Sequence, residues 1–170
     1  MGILLYKKEK KIKWNPSSFE AVYVLECQRG KYYIGRTKDV DLRIKQHKEG
    51  TGSSWTRLYP PIRLMELVTL CSPLDEDKVT KQYMMEYGID NVRGGYYSSL
   101  ILDWKQKFIL QKEFRHARNE CLLCGSKNHY AAQCDQKSIP CTRCNFVGHS
   151  VETCYRHLNS LGQEIKNLNY

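Results

Sequence analysis

The sequence predicts an α+β protein: a small antiparallel three-stranded sheet flanked by helices, then a linking helix, then two short cysteine-rich modules. Three observations lead there. Two runs rich in branched and aromatic residues, Ala21 to Cys27 and Lys31 to Thr37, are separated only by Gln28-Arg29-Gly30, a hairpin signal. Further along, cysteine and histidine recur at C-x2-C-x4-H-x4-C spacing, twice without change. Finally, a 170-residue chain with 41% hydrophobic residues is too poor in apolar side chains for one core to occupy all of it.

Residues 1–18 form a basic arm, with Lys7, Lys8, Lys10, Lys11 and Lys13 leading to Trp14. Such an arm follows a phosphate backbone or stays in solution as a tail, and by itself reads as the tail. The main domain spans 19–97. After the hairpin, Asp39 or Asp41 can cap a helix running through Lys48, with Gly50 as its stop. Pro60 and Pro61 break the chain before a third strand, Ile62 to Leu70. Ser72 then reads as the cap of a second helix, with Pro73 in its first turn and Asp75, Glu76 and Asp77 matching the helix dipole, and Tyr87-Gly88 ends it. Residues 98–118 carry apolar positions at 101, 102, 104, 108, 109 and 110 among basic ones, the pattern of an amphipathic linking helix. The cysteine modules occupy 119–156, and the tail over 157–170 shows no readable pattern.

A formal charge of +9 favours a polyanionic partner, because each Lys or Arg near a phosphate releases condensed counterions. No apolar run has bilayer-spanning length, so no membrane partner is expected. The apolar patch over residues 2–6 is followed by lysines where a secretion signal would be preceded by them. With six of eight cysteines in metal-ligand clusters, the thiols are expected to be reduced, which points to an intracellular compartment: nucleus or cytoplasm, including that of an infected host cell. Cys27 and Cys71 sit at strand ends and read as packing residues.

Cys121, Cys124, His129 and Cys134 form the first cluster, and Cys141, Cys144, His149 and Cys154 the second. Three thiolates and an imidazole suit the tetrahedral preference of zinc and leave no position for a catalytic water, so two structural Zn²⁺ ions are expected. Segments this short bury too little core to fold alone, and metal binding must supply the folding free energy. The clusters resemble the zinc knuckles of retroviral nucleocapsid proteins, a resemblance implying contact with single-stranded nucleic acid through exposed apolar side chains. Tyr130 and Phe146 are then the expected base-stacking residues. The pattern's glycines are partly replaced: Gly125 is matched by Asn145, and Gly148 by Asn128, asparagine being tolerant of left-handed backbone. A zinc-stapled protein-contact module is the other reading of these modules, with protein partners unspecified. His116 and His157 lie outside the spacing and read as surface residues.

In the main domain, Ala21-Val22-Tyr23 on one strand is followed by Tyr33-Ile34-Gly35 on the next, then by Arg43 and His47 one helical turn apart. With Glu76 and the run Asn91-Val92-Arg93-Gly94-Gly95, this order resembles the GIY-YIG nuclease family over roughly residues 19–97, in a branch found in large DNA viruses and some protists. The second motif word is complete; the first keeps its tyrosine and has alanine and valine for glycine and isoleucine. The resemblance implies phosphodiester hydrolysis with one catalytic Mg²⁺ or Mn²⁺, a hard cation needing few protein ligands. It points to Glu76 as the carboxylate on that ion, with Asp77 in reserve. Arg43 would neutralise charge growing on phosphate oxygens. Tyr23 would orient or deprotonate the attacking water with Tyr33 nearby, and His47 would assist proton transfer or touch the phosphate. Arg36, Lys38, Asn91 and Arg93 are the expected nucleic-acid contacts beside the site. The expectation is thus an endonuclease acting on nucleic acid, DNA ahead of RNA, single-stranded or branched. The alternatives are a nucleic-acid-binding protein that kept the fold but lost cleavage, and a zinc-dependent adaptor.

Overall fold

The computed structural model describes residues 20–69, 72–149, 151, 154 and 156–165. The basic arm, Leu70, Cys71 and the end of the tail lie outside the described residues. Strand β1 (Ala21–Cys27) and strand β2 (Lys31–Thr37) form the expected antiparallel hairpin, with Tyr23 opposite Gly35 and Leu25 opposite Tyr33. Strand β3 (Pro61–Val68) pairs antiparallel with the other edge of β1 through two register shifts. A fourth strand, β4 (Val92–Gly94), joins β2 in parallel, so the sheet is mixed, in the order β3-β1-β2-β4. Three residues are too few to show strand periodicity, and a parallel pairing needs a long crossover that leaves no local signal.

Helix α1 (Val40–Lys48) starts at Asp39, whose carboxylate accepts the Leu42 N–H at 2.9 Å. A short helix unforeseen from the sequence, α2 (Ser54–Leu58), follows, with Ser53 and Thr56 forming a reciprocal capping box. Helix α3 spans Asp75–Tyr87. Ser72 is not its cap: Ser72 Oγ accepts the Leu74 N–H at 3.3 Å, and the Ser72 N–H donates to Asp75 Oδ2 at 2.6 Å, which closes the preceding turn and starts the helix later. Helix α4 (Trp104–Ala117) begins at Asp103, which forms a capping box with Gln106.

Alternation along β1 divides the interior. Val22 and Val24 face one side with Ile34, Val79, Met84, Val92, Leu110 and Phe114; Tyr23, Leu25 and Cys27 face the other with Tyr33 and Trp55. Each such burial contributes about 1.5–3 kcal/mol, which makes the two-sided strand β1 the centre of the fold. Leu110 and Phe114 put the linking helix in the first of these cores, so α4 is docked and does not act as a free spacer. Lys107 Nζ to Asp90 Oδ1 at 2.6 Å and Lys81 Nζ to Glu113 Oε2 at 2.7 Å tie it to the neighbouring elements. From the opposite face of α4, Arg115 Nη1 donates to the carbonyls of Leu122 and Leu123 at 3.2 and 2.9 Å, gripping the first cysteine module.

Candidate active site and metal-binding modules

Tyr23 and Tyr33 leave adjacent strands on the same face, their ring centres 6.4 Å apart. The Tyr23 hydroxyl lies directly over Gly35, where a Cβ would overlap it, so the glycine of the second motif word is required by close approach. Helix α1 delivers Arg43 and His47 to the same point. Arg43 Nε donates to Tyr23 Oη at 3.3 Å, and His47 Nε2 is 2.8 Å from the same oxygen. His47 is fully buried, and its Nδ1 lies 2.8 Å from Thr56 Oγ1. Arg43 Nη1 also donates to Gln46 Oε1 at 2.8 Å.

Burial raises the Tyr23 hydroxyl well above the usual tyrosine range, with help from Tyr33, so at rest Tyr23 is protonated. Burial and then Arg43 hold His47 down at about 4, so its imidazole is neutral at pH 7. Glu76, in the first turn of α3, accepts the Gly95 N–H on Oε1 at 3.1 Å, and its other oxygen lies 4.0 Å from Arg36 Nε. Its pKa is raised, chiefly by burial, the state of a carboxylate that a divalent cation would relieve. The adjacent Asp77 is spent elsewhere: Oδ1 accepts the Tyr96 N–H at 2.7 Å. The charge of Glu76 contributes, as a minor cause, to the raised Tyr23 and Tyr33 hydroxyls.

Of the expected nucleic-acid contacts, Arg36 near the end of β2 and Lys38 just beyond it are exposed, Arg36 being paired with Glu20 at 3.3 Å. Arg93 is enclosed by backbone. It is 2% exposed and donates to the carbonyls of Ser99, Ile89, Val92 and Leu100, with its guanidinium 4.5 Å over Trp55. Its guanidinium is thus committed to backbone carbonyls in this fold. Asn91 is similarly committed, accepting from Lys31 Nζ at 2.7 Å and donating to the Tyr87 carbonyl at 2.7 Å. Thr56, Gln46 and the α2 cap were missed by sequence reasoning; Ser53-x-x-Thr56 was the available signal, weak because threonine replaces the usual acid of a capping box.

In each cysteine module the four ligand atoms all lie within 4.8 Å of one another. Cys124 Sγ to His129 Nε2 is 3.4 Å and Cys144 Sγ to His149 Nε2 is 3.2 Å, near the roughly 3.6 Å edge of a tetrahedron built on zinc bond lengths. Both Cys3His groups could hold a zinc ion. The modules repeat each other's backbone: the Cys121 N–H reaches the Ser126 carbonyl at 2.7 Å and the Cys141 N–H the Phe146 carbonyl at 2.8 Å. Asn145, at φ 60°, adopts the left-handed backbone that Gly125 adopts at φ 81°.

Their aromatic residues differ. Tyr130 is 73% exposed, whereas Phe146 is half-buried with the Arg156 guanidinium 3.8 Å over its ring. One face of the Phe146 ring is thus occupied by a cation. The tail contributes to this closure. Ser160 N–H donates to the Cys144 carbonyl at 2.8 Å, and Ile165 packs on the Cys141, Cys144 and Cys154 cluster. His157 packs edge-on against Trp104 at 5.6 Å.

Among the described residues no helix is long and apolar enough to cross a membrane. Comparison with known proteins now bears on the tyrosine cluster. A family model, the GIY-YIG catalytic domain, matches residues 19–77. A UPF0213 protein of Halalkalibacterium halodurans is 41% identical over 66 residues, covering 39% of this chain and 68% of the relative. UPF0213 proteins of Xanthomonas axonopodis pv. citri and Streptococcus pneumoniae are 41% and 46% identical over 44 residues, 26% of this chain in each case. The chain spans less than half the length of these two, 43% and 44%. No solved structure matches at comparable significance. The matched residues include Tyr23, Gly35, Arg43, His47 and Glu76, and the chain belongs to the GIY-YIG family.

Proposed function

We propose that the protein is a metal-dependent endonuclease hydrolysing phosphodiester bonds in nucleic acid, DNA ahead of RNA, with the cysteine modules loaded with zinc and gripping single-stranded or branched substrate. The observation that carries this reading is the convergence of Arg43 and His47 on the Tyr23 hydroxyl. A Mg²⁺ or Mn²⁺ ion at Glu76 would supply Lewis-acid stabilisation of the phosphate and of the leaving oxygen.

The side chains divide the remaining work. Tyr23, held by its hydrogen bond to His47, receives a proton from the attacking water as its own proton passes to His47 Nε2. Arg43 donates to that same oxygen, and its planar guanidinium would neutralise charge growing on the phosphate. Arg36 and Lys38 flank the approach and would guide the backbone of the substrate. The altered first motif word does not argue for a lost activity: Ala21 and Val22 are buried packing positions, and the functional residue of that word, Tyr23, is present.

The test is a cleavage assay on single-stranded, duplex, flap and branched DNA and RNA with Mg²⁺, Mn²⁺ or EDTA, comparing wild type with Arg43→Ala. Metal-dependent cutting that the variant loses supports the nuclease reading and identifies the preferred substrate. Binding without cutting under every condition replaces it with a nucleic-acid-holding role.

A further inference from the structure

The site contains one buried polar chain that the mechanism above uses only at its near end. Tyr23 Oη, His47 and Thr56 Oγ1 are linked by two contacts of 2.8 Å, all buried. The direction of the protons in this chain follows from elementary bookkeeping. Tyr23 is protonated and needs an acceptor; Arg43, the other group on its oxygen, has only donors. Its acceptor is therefore His47 Nε2. A neutral imidazole that accepts at Nε2 carries its proton on Nδ1, and that N–H must donate in turn. Thr56 Oγ1 is its partner.

Thr56 is free to accept because its own proton has acceptors on Ser53, the carbonyl and also Oγ, which lies 3.0 Å away. The hydroxyl donates to the Ser53 carbonyl at 3.2 Å, within the capping box that starts α2. The Ser53 N–H also reaches Thr56 Oγ1, at 3.3 Å, so the oxygen is locked in place from the helix cap. Gly52 completes the enclosure: a Cβ there would overlap His47 Nδ1, so the chain can cross the imidazole only as glycine.

We infer that Thr56 is a positioning residue, which fixes the tautomer of His47 so that Nε2 is the acceptor for the Tyr23 proton. This rests on the nuclease reading for its consequence but not for its geometry. With Thr56 removed, an Nδ1–H buried against the Gly52 backbone has lost its partner, and the other tautomer becomes the better solution. His47 then donates to Tyr23, and the tyrosine has nowhere to send its proton. The device resembles the orienting third group of a nucleophile–base pair, built here from a helix cap.

The experiment reads the tautomer directly and the activity separately. Imidazole nitrogen NMR on the full-length protein loaded with zinc distinguishes a bare nitrogen from a protonated one. Wild type is expected to show His47 with Nδ1 protonated and Nε2 bare; Nε2 protonated in wild type overturns the inference without any variant. Thr56→Val is expected to invert the pattern and to lower the cleavage rate by at least about tenfold, with Thr56→Ser restoring both. A tautomer unchanged in Thr56→Val, or a rate loss that Thr56→Ser fails to rescue, also overturns it. If wild type cuts no substrate, the nuclease reading fails while the nitrogen spectra still decide whether Thr56 sets His47.

Discussion

Replacing Arg93 separates two roles that the sequence alone does not distinguish. Arg93→Met keeps an unbranched apolar stem against Trp55 and deletes the guanidinium that serves four carbonyls. The carbonyls of Ser99 and Leu100 belong to exposed residues and regain water, so their loss is small. Those of Ile89 and Val92 lie under the sheet edge, where each unsatisfied acceptor costs about 1–3 kcal/mol. Losing the stacked cation over Trp55 adds about 1 kcal/mol, partly offset by no longer burying a charge, which already pulls the Arg93 pKa down. The sum is a destabilisation of about 3 kcal/mol. With a urea slope near 2 kcal/mol/M, the unfolding midpoint falls by about 1.5 M. Urea titration followed by tryptophan fluorescence reads it, since Trp55 is only 3% exposed in the native state. Oligonucleotide affinity, measured below the transition, is expected to stay within about twofold of wild type, an interval of roughly 0.4 kcal/mol. A variant with wild-type urea stability and weakened binding refutes the reasoning and returns Arg93 to the phosphate.

Three further outcomes are expected. Stability depends on pH through His47: its folded value of about 4 lies below the unfolded 6.5, so its contribution is complete above pH 6.5 and is lost as pH falls toward 4. That loss amounts to about 3 kcal/mol, and denaturant titrations of wild type and His47→Gln at pH 7.5 and 4.5 should show a steeper pH dependence in wild type. Arg43→Ala and Glu76→Ala should each lower cleavage by at least about a hundredfold with zinc content and oligonucleotide binding retained, whereas Asp77→Asn, which alters a carboxylate bonded to the Tyr96 N–H, should act on stability first. Tyr130→Ala should weaken single-strand binding by about 1–3 kcal/mol, the value of one stacked base. Phe146→Leu, altering a ring already under Arg156, should change it far less, as read by fluorescence anisotropy.

Much of the fold was legible because its signals are local. Both strands of the hairpin were bounded by their own branched residues and by the Gln28-Arg29-Gly30 turn, and α1 followed from capping signals at Asp39 or Asp41, of which the structure uses Asp39. The two Cys3His groups that could hold metal were legible for the same reason: metal coordination dictates spacing along the chain before any packing occurs.

What only the tertiary structure decided is where polar groups were spent. Arg93 and Asn91 read as ligand contacts, yet the chain folds the nearby carbonyls of Ile89, Val92, Ser99 and Leu100 around Arg93, and Lys31 from β2 takes Asn91. Glu76 and Asp77 are neighbours in sequence, and the loop at Gly95 and Tyr96 divides them between the site and the fold. Phe146 lost its open face to Arg156, and Thr56 gained its place behind His47 through a helix too short to leave a periodic trace. The sequence by itself determined which chemical groups this protein owns and the local frames that carry them. Their availability depends on burial and on partners distant along the chain, and that is settled only when the sheet, helices and modules pack.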